Sequence, residues 1–309
     1  MKYKGRTLIF AFLAGMLSMG LLVAVVAYIP NATTTMTTKE KAVEPFHPVW
    51  HENQRIIKHA LGGIDGKAGT NTITALQENY VHGSRLFEVD LNMTSDGVLV
   101  LHHDWEESGN HYLAFEEEIP TYEAFKRNYK YYKYPTSDLT DLLNYMDTHV
   151  DAMFVVDTKY TDEISFDMMI AAMVNQASKL DKMDVLDRMI IQFYNEEQYL
   201  AIKNIHPFKH YMYSLYKEKN KDFERVASFC VEHNIETVLM KHTWVQTSED
   251  LLPFNNQGLK VYLYTTNQLS LIYEKEELGA YGFVSDHLNE KDLQLKKYID
   301  YQYKEKIQP

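Results

Sequence analysis

The stretch Phe87-Glu88-Val89-Asp90-Leu91 places two carboxylates two residues apart within an apolar run. Because side chains alternate across a β-strand, Glu88 and Asp90 leave one face of this strand and their apolar neighbours leave the other. Two carboxylates are costly to bury in such surroundings unless a positive charge lies between them. The stretch therefore predicts a buried strand that binds a divalent cation, although a lone Glu-x-Asp is also typical of the solvated face of an edge strand.

Strand-like and helix-like segments alternate around this stretch, from about residue 55 to about residue 290. The strand candidates are Ile56–His59, Leu86–Asn92, Val98–His103, Met153–Thr158, Met189–Phe193, Tyr211–Leu215, Thr237–Met240, Val261–Thr265 and Gly282–Ser285. Helical patterns lie between several of them, and Asn195 and Asn267 are each predicted to cap a helix. This alternation predicts an α/β fold, a TIM (β/α)8 barrel. The nine candidates exceed the eight places by one, so the second or the third is expected to belong to a hairpin.

The alternation is interrupted between about residue 106 and residue 134. Five tyrosines are interleaved there with basic residues, namely Tyr122, Tyr129, Tyr131, Tyr132 and Tyr134 with Lys126, Arg127, Lys130 and Lys133. The favoured interpretation is a partly helical surface insertion. The alternative is a lid beside the site that holds a sugar or an anionic head group.

The N-terminus predicts a membrane anchor. Lys2, Lys4 and Arg6 precede Leu8–Ile29, a run of 22 residues without a charged side chain. Such a run is long enough to cross a bilayer as a helix, and the positive flank is expected to stay in the cytoplasm. Cleavage after Ala27 is the alternative.

The chain is accordingly divided into three parts. Residues 1–30 are predicted to form a basic cytoplasmic tip and a transmembrane signal anchor, residues 31–45 a Thr-rich linker, and residues 46–309 the barrel. This order predicts a single-pass protein of the cell membrane whose catalytic domain is extracytoplasmic. The formal net charge of -12 argues against a nucleic-acid partner, which would require a basic face. The single cysteine, Cys230, is expected to be a buried thiol.

A series of short motifs resembles the signature of the glycerophosphodiester phosphodiesterase family. In chain order these are His59, Asn71-Thr72, Glu88-Val89-Asp90, Thr94-Ser95-Asp96-Gly97 and His103-Asp104. The resemblance continues through Tyr134-Pro135-Thr136, Asp157-Thr158-Lys159, Gln192-Phe193, Val261–Asn267 and Ser285-Asp286. It covers residues from about 55 to about 290.

This resemblance implies a metal-dependent phosphoric diester hydrolase. Glu88, Asp90 and Asp157 would bind the divalent metal, His59 and His103 would be the acid and base pair, and Lys159 would face the phosphate. Ligation by oxygen alone favours Mg²⁺ or Ca²⁺ over zinc. His59 is assigned as the base and His103 as the acid, while the nucleophile, water or a hydroxyl of the substrate, stays open. The expected substrate is a glycerophosphodiester, a lipid head group or a phosphodiester-linked wall polymer.

Departures from the family pattern leave alternatives open. The arginine that follows the first histidine is Ala60 here, the glutamate before Asn-Thr is Thr70, and the third metal carboxylate is an aspartate. The Asp-x-Lys motif also resembles sphingomyelinase D-like phospholipases of the same superfamily. Ala60, which removes a bidentate phosphate ligand, and Thr70 together keep open a catalytically inactive, membrane-anchored binding barrel. A bacterial phosphatidylinositol-specific phospholipase C would share the histidines but generally lacks the metal carboxylates.

Four residues beside these motifs have more than one interpretation. His102 is expected to be a packed or surface histidine, since it leaves the strand opposite His103. Asp104 orients His103 or caps a turn, and Tyr264 lines the pocket or packs in the core. Asp286 is expected to cap a helix before Leu288 rather than to orient a site residue.

Overall fold

The computed structural model describes residues 50–105, 113, 115, 118–158 and 163–294. Its strands are β1 Ile56–Lys58, β2 Leu86–Met93, β3 Leu99–Leu101, β4 Tyr129–Lys130, β5 Tyr134–Pro135, β6 Met153–Asp157, β7 Met189–Phe193, β8 His210–Ser214, β9 Thr237–Lys241, β10 Lys260–Tyr264 and β11 Gly282–Ser285. Eight parallel strands follow one another in the order β1-β2-β6-β7-β8-β9-β10-β11. Because β1 pairs with both β2 and β11, the ring closes, and the predicted barrel is confirmed.

Helices separate most of the barrel strands. They are α1 Ile73–Val81, α2 Tyr122–Lys126, α3 Leu139–Thr148, α4 Glu163–Lys179, α5 Glu196–Ile205, α6 Phe223–Glu232, α7 Leu252–Asn255 and α8 Leu269–Glu277. The side chain of Asn195 accepts a hydrogen bond from the backbone N–H of Gln198 and caps α5, as predicted. The prediction for Asn267 is wrong, because Gln268 precedes α8 and Asn267 bonds elsewhere.

The surplus strand candidate is the third one. β3 runs antiparallel to β2, with Leu91 opposite Leu101, and it takes no place in the ring. β2 has eight residues, whereas the other barrel strands have three to five. Its extra length extends past the ring and pairs with β3, which carries the following histidines to the end of the barrel where the parallel strands finish.

The register between β2 and β6 places acidic residues side by side. Glu88 lies opposite Val155, and Asp90 lies opposite Asp157. Since both strands are parallel, their carboxyl ends meet at the same end of the barrel, which is where barrels of this architecture carry their active sites.

The lower part of the barrel is filled with apolar side chains. Every ring strand contributes one of them: Ile57, Leu86, Val155, Ile190, Met212, Leu239, Tyr262 and Val284. Trp50 stacks on Tyr262 with ring centroids 5.8 Å apart. This layer forms an apolar floor beneath the carboxyl-end residues. The Cys230 thiol is buried outside the ring, as predicted, and burial raises its pKa to about 12.

Within the described ranges, no helix combines the length and hydropathy that a membrane crossing requires. The predicted transmembrane segment Leu8–Ile29 and the predicted linker lie outside these ranges.

Candidate active site

Three carboxylates meet at the carboxyl ends of β2 and β6. Glu88, Asp90 and Asp157 are buried, and each offers one oxygen that lies within 4.8 Å of the other two. Two oxygens bound to one ion are at most about 4 Å apart for Mg²⁺ and about 5 Å apart for Ca²⁺. Buried carboxylates this close repel one another unless a cation neutralises them. The cluster therefore fits a single hard divalent cation.

A left-handed turn after β1 holds Glu88. The backbone N–H of Ala60 donates a hydrogen bond of 2.7 Å to Glu88 Oε2. Ala60 and Leu61 have φ angles of 47° and 66°, a region that side chains other than glycine enter at a cost of about 1–3 kcal/mol. The Ala60 methyl group is fully buried, so the position that corresponds to the family's arginine presents no side chain to solvent.

Asn71 holds Asp90 from two sides. Its Nδ2 donates to Asp90 Oδ2 at 2.7 Å, and its Oδ1 accepts the backbone N–H of Asp90 at 3.0 Å. Asn71 is itself left-handed, with φ of 50°, a conformation that asparagine tolerates better than most residues. The next residue, Thr72, caps α1. The Asn-Thr pair therefore fixes one carboxylate and begins the first helix.

A tyrosine that was not predicted as a site residue holds Asp157. Tyr194 Oη donates a hydrogen bond to Asp157 Oδ1, and Gln192 Nε2 donates to Tyr194 Oη at 3.2 Å. The backbone N–H of Tyr194 is fixed by Gln198 Oε1 at 2.8 Å. The sequence signal for this pair is the period-two spacing of Gln192 and Tyr194 at the end of β7, which places both side chains on the same face of the strand.

Asp286 orients His59. Asp286 Oδ1 lies 2.7 Å from His59 Nδ1, while Asn267 Nδ2 donates to Asp286 Oδ2 at 2.7 Å. The expectation that Asp286 caps a helix is wrong, because Ser285 Oγ accepts the backbone N–H of Leu288 instead. A carboxylate, an amide and an imidazole thus form one chain of hydrogen bonds at the mouth of the barrel.

The surroundings of His59 favour its protonated form. Burial lowers the pKa of His59, but the hydrogen bond to Asp286 and the charges of Glu88, Asp90 and Asp286 outweigh burial and raise it to about 9. Neutralising Glu88 and Asp90 with a cation would remove two of these contributions and bring the pKa down.

His103 lies on the turn that follows β3. A hydrogen bond joins His103 Nδ1 to Asp104 Oδ2, so Asp104 orients the ring rather than capping a turn. The side chain of His103 is 42% exposed, more than that of His59 at 28%. One ring nitrogen of each histidine is therefore held by a carboxylate, which leaves the other nitrogen for proton transfer.

Both histidines line one cavity of about 560 Å³ above the apolar floor. Its polar lining consists of His59, Glu88, His103, Asp104, Asp157, Gln192, Tyr194, Ser214, Tyr216, Lys217, Tyr264 and Thr265. Tyr264 therefore lines the pocket. None of the described residues between 118 and 134 lines the cavity. This part of the segment contains α2 and the β4–β5 hairpin, and it is a surface insertion rather than a lid. Lys159 lies outside the described residues.

A buried lysine packs behind the site. Lys130 Nζ lies 2.6 Å from His102 Nδ1, and both side chains are fully buried. His102 packs against the ring of Trp105 with centroids 4.4 Å apart, so it is a packed histidine as expected. Burial lowers the pKa of Lys130 to about 7 although Asp90 and Asp104 act to raise it. The sequence gives no local sign that this lysine of the insertion turns inward.

Replacing Lys130 with methionine is expected to change how stability depends on pH. The folded pKa of about 7 lies below the ordinary 10.5, so the unfolded chain binds more protons between these values. Stability of the wild type therefore rises with pH through this window, relative to the variant, by about 2 kcal/mol between pH 7 and 9. Urea unfolding at both pH values measures the difference. The exposed-lysine variant Lys179→Met should follow the wild type, and parallel curves for Lys130→Met would contradict the prediction.

Comparisons with known proteins agree with this architecture. The sequence model of the glycerophosphoryl diester phosphodiesterase family matches residues 63–290. A glycerophosphodiester phosphodiesterase from Parabacteroides distasonis is 17% identical with a TM-score of 0.62, covering 79% of this chain and 96% of its own. One from Thermotoga maritima is 17% identical with a TM-score of 0.59, covering 80% and 99%.

A phosphodiesterase from Oleispira antarctica, solved in complex with the product sn-glycerol-3-phosphate, is 17% identical with a TM-score of 0.59, covering 78% of this chain and 95% of its own. At these identities the structures establish a shared fold. A comparison with curated protein sequences finds no significant match.

Proposed function

Because this chain belongs to the glycerophosphoryl diester phosphodiesterase family, and is thus a phosphoric diester hydrolase, we propose that it cleaves a glycerophosphodiester or a related phospholipid or polymer phosphodiester outside the cytoplasm. One observation carries the proposal. Three buried carboxylates that fit one cation lie beside two carboxylate-held histidines, and His59, His103, Glu88 and Asp157 line a single cavity. This arrangement argues against an inactive binding barrel, because such a barrel needs neither a buried carboxylate cluster nor a pair of oriented histidines beside it.

The metal in this proposal is Mg²⁺ or Ca²⁺, held by Glu88, Asp90 and Asp157. When bound there, a divalent cation supplies positive charge that offsets the charge of the phosphodiester and of the transition state. Asn71, Tyr194 and the backbone N–H of Ala60 keep the three carboxylates in place through hydrogen bonds. Ligation by oxygen alone supports these two ions over softer metals.

The two histidines transfer the protons. His59 accepts the proton of the attacking hydroxyl group while the oxygen of that hydroxyl forms a new bond to phosphorus. His103 donates a proton to the leaving alcohol oxygen as its bond to phosphorus breaks. Attack by water gives a phosphomonoester and an alcohol, and attack by a neighbouring substrate hydroxyl gives a cyclic phosphate and an alcohol. Lys159 is proposed to stabilise the added negative charge on the phosphoryl oxygens.

The site of action follows from the N-terminal sequence. Leu8–Ile29 carries no charge and follows three basic residues, which supports a single-pass anchor with the barrel on the outer side of the cell membrane. Protease treatment of intact cells tests this topology. Digestion of an epitope tag at the C-terminus without permeabilisation is expected, and protection of the tag would contradict it.

A sphingomyelinase D-like phospholipase is the second candidate, and Asp157 in place of glutamate favours it. The two candidates differ in substrate. The first predicts turnover of soluble glycerophosphocholine, and the second predicts turnover of choline phospholipids that retain their acyl chains.

Hydrolysis of glycerophosphocholine by the full chain in detergent tests the proposal. Activity is expected with Mg²⁺ or Ca²⁺, is expected to fall to background with a chelator, and is expected to return when the cation is added in excess. The reason is that the buried carboxylates repel the anionic substrate when no cation neutralises them. Activity that withstands prolonged chelation would contradict the assignment of the three carboxylates.

A further inference from the structure

Charge is divided unevenly around the cavity. Glu88, Asp157 and Asp104 lie with the two histidines on one side, which is built from β1, β2, β6 and the hairpin of β2 and β3. Among the described residues that line the cavity, Lys217 is the only lysine or arginine.

The strand order places Lys217 on the opposite side. Lys217 ends the short 3-10 turn Leu215–Lys217 that directly follows β8. In the closed ring of eight strands, β8 is four places from β1 in both directions. Lys217 therefore follows the strand opposite the one that carries His59, and the wall between β6 and β8 carries the uncharged polar groups of Gln192, Tyr194 and Ser214.

The Lys217 charge is available to a ligand. None of the ion pairs between described residues includes Lys217. The adjacent carboxylate, Glu218, is instead bound by Arg225 at 2.5 Å. Lys217 Nζ lies 5.2 Å from the centre of the Tyr216 ring, and this tyrosine is 61% exposed at the cavity. The Lys217 ammonium can bind an anionic group, and the exposed Tyr216 ring can contact the carbon atoms next to that group.

We propose that Lys217 and Tyr216 form a subsite for a second phosphate group within the substrate, across the cavity from the phosphodiester that is cleaved. The inference rests on the proposed function. A single phosphodiester bound beside the carboxylates and histidines leaves the opposite cation without an anion, whereas a substrate with two phosphates satisfies both sides. The cavity volume of about 560 Å³ lies within the range that accommodates ligands of this size.

Two substrates that differ by one phosphate test this subsite. We would compare glycerophosphoglycerol with the same molecule bearing a phosphate on its distal glycerol, using the full chain in detergent with Ca²⁺ or Mg²⁺. Lys217→Gln is expected to raise KM for the substrate with two phosphates about five- to tenfold more than for the substrate with one, a loss in line with one partly exposed charged hydrogen bond. Lys217→Arg should keep most of the preference. Lys219→Gln, which alters an exposed lysine that does not line the cavity, is the matched control.

Equal losses on both substrates would overturn the inference, because Lys217 would then act on the cleaved phosphodiester itself. The inference would also be overturned if KM changed for neither substrate. Calorimetric binding of the compound with two phosphates to wild type and Lys217→Gln provides the same comparison without turnover. Failure of the wild type to cleave either substrate would contradict the proposed cleavage of glycerophosphodiesters, while the binding ratio would still decide whether the subsite exists.

Discussion

Replacing Asp90 with asparagine is expected to lower kcat/KM on a glycerophosphodiester by about a thousandfold or more, without lowering the melting temperature of the metal-free protein. The loss corresponds to about 4 kcal/mol of transition-state stabilisation, in the range that a Lewis-acid metal supplies. Asparagine has the size of aspartate, and its carbonyl oxygen still accepts the hydrogen bond from Asn71 Nδ2. Removing one of three clustered charges also relieves repulsion in the metal-free state.

Thermal shift measurements separate these effects. Wild type is expected to gain stability with added Mg²⁺ or Ca²⁺, because an ion that binds only the folded state stabilises it, and Asp90→Asn should gain much less. Asp96→Asn is the matched control, since Asp96 accepts hydrogen bonds from Thr94 and Tyr122 in a turn outside the cavity. A fully active Asp90→Asn variant with the wild-type metal response would remove Asp90 from the ligand set.

Replacing either of the histidines proposed to transfer protons, His59 or His103, with alanine is expected to reduce kcat on glycerophosphocholine by two to four orders of magnitude, the usual contribution of a general acid or base. The two variants should differ on a p-nitrophenyl phosphodiester. Its leaving group departs without a proton, so loss of the acid matters less than loss of the base. His103→Ala should therefore recover much of its activity on this substrate, and His59→Ala should not.

The exposed-histidine variant His82→Ala serves as control and should match wild type on both substrates. Recovery by His59→Ala alone would exchange the two roles. If neither variant recovers activity on this substrate, His103 does not act by donating a proton to the leaving oxygen.

The parts of the site that could be predicted are those with a local signal. Period-two alternation identified β2 and its two carboxylates, and the short turn after it indicated a hairpin. Asp157 has no such local signal. It was assigned through the order of family motifs, and the register between β2 and β6 accounts for its position next to Asp90.

The contacts that were missed join residues far apart in the chain. Asp286 and Asn267 both sit where a local rule predicts a helix cap, but their side chains bond to each other, and Asp286 also bonds to His59, which lies 227 residues before it. Lys130 belongs to the segment that is predicted to be a surface insertion, although its side chain turns inward to His102. Propensity and periodicity describe neighbours within a turn or a strand, and they carry no information on such pairings.

The left-handed turn at Ala60 and Leu61 was also beyond prediction, since neither residue is a glycine. Its cost is offset by the hydrogen bond that the Ala60 amide makes with Glu88. Because the Ala60 methyl group is fully buried, a larger side chain at this position is expected to displace the turn and weaken its hydrogen bond to Glu88.

The apolar layer that fills the lower barrel has a kinetic consequence. Under the proposed function, the eight inward side chains and Trp50 close the lower part of the barrel, so substrates would enter and products would leave at the end where the carboxylates and histidines lie. Both products of the proposed reaction would then leave by the opening that admits the next substrate, so that product release and substrate entry would compete for one path.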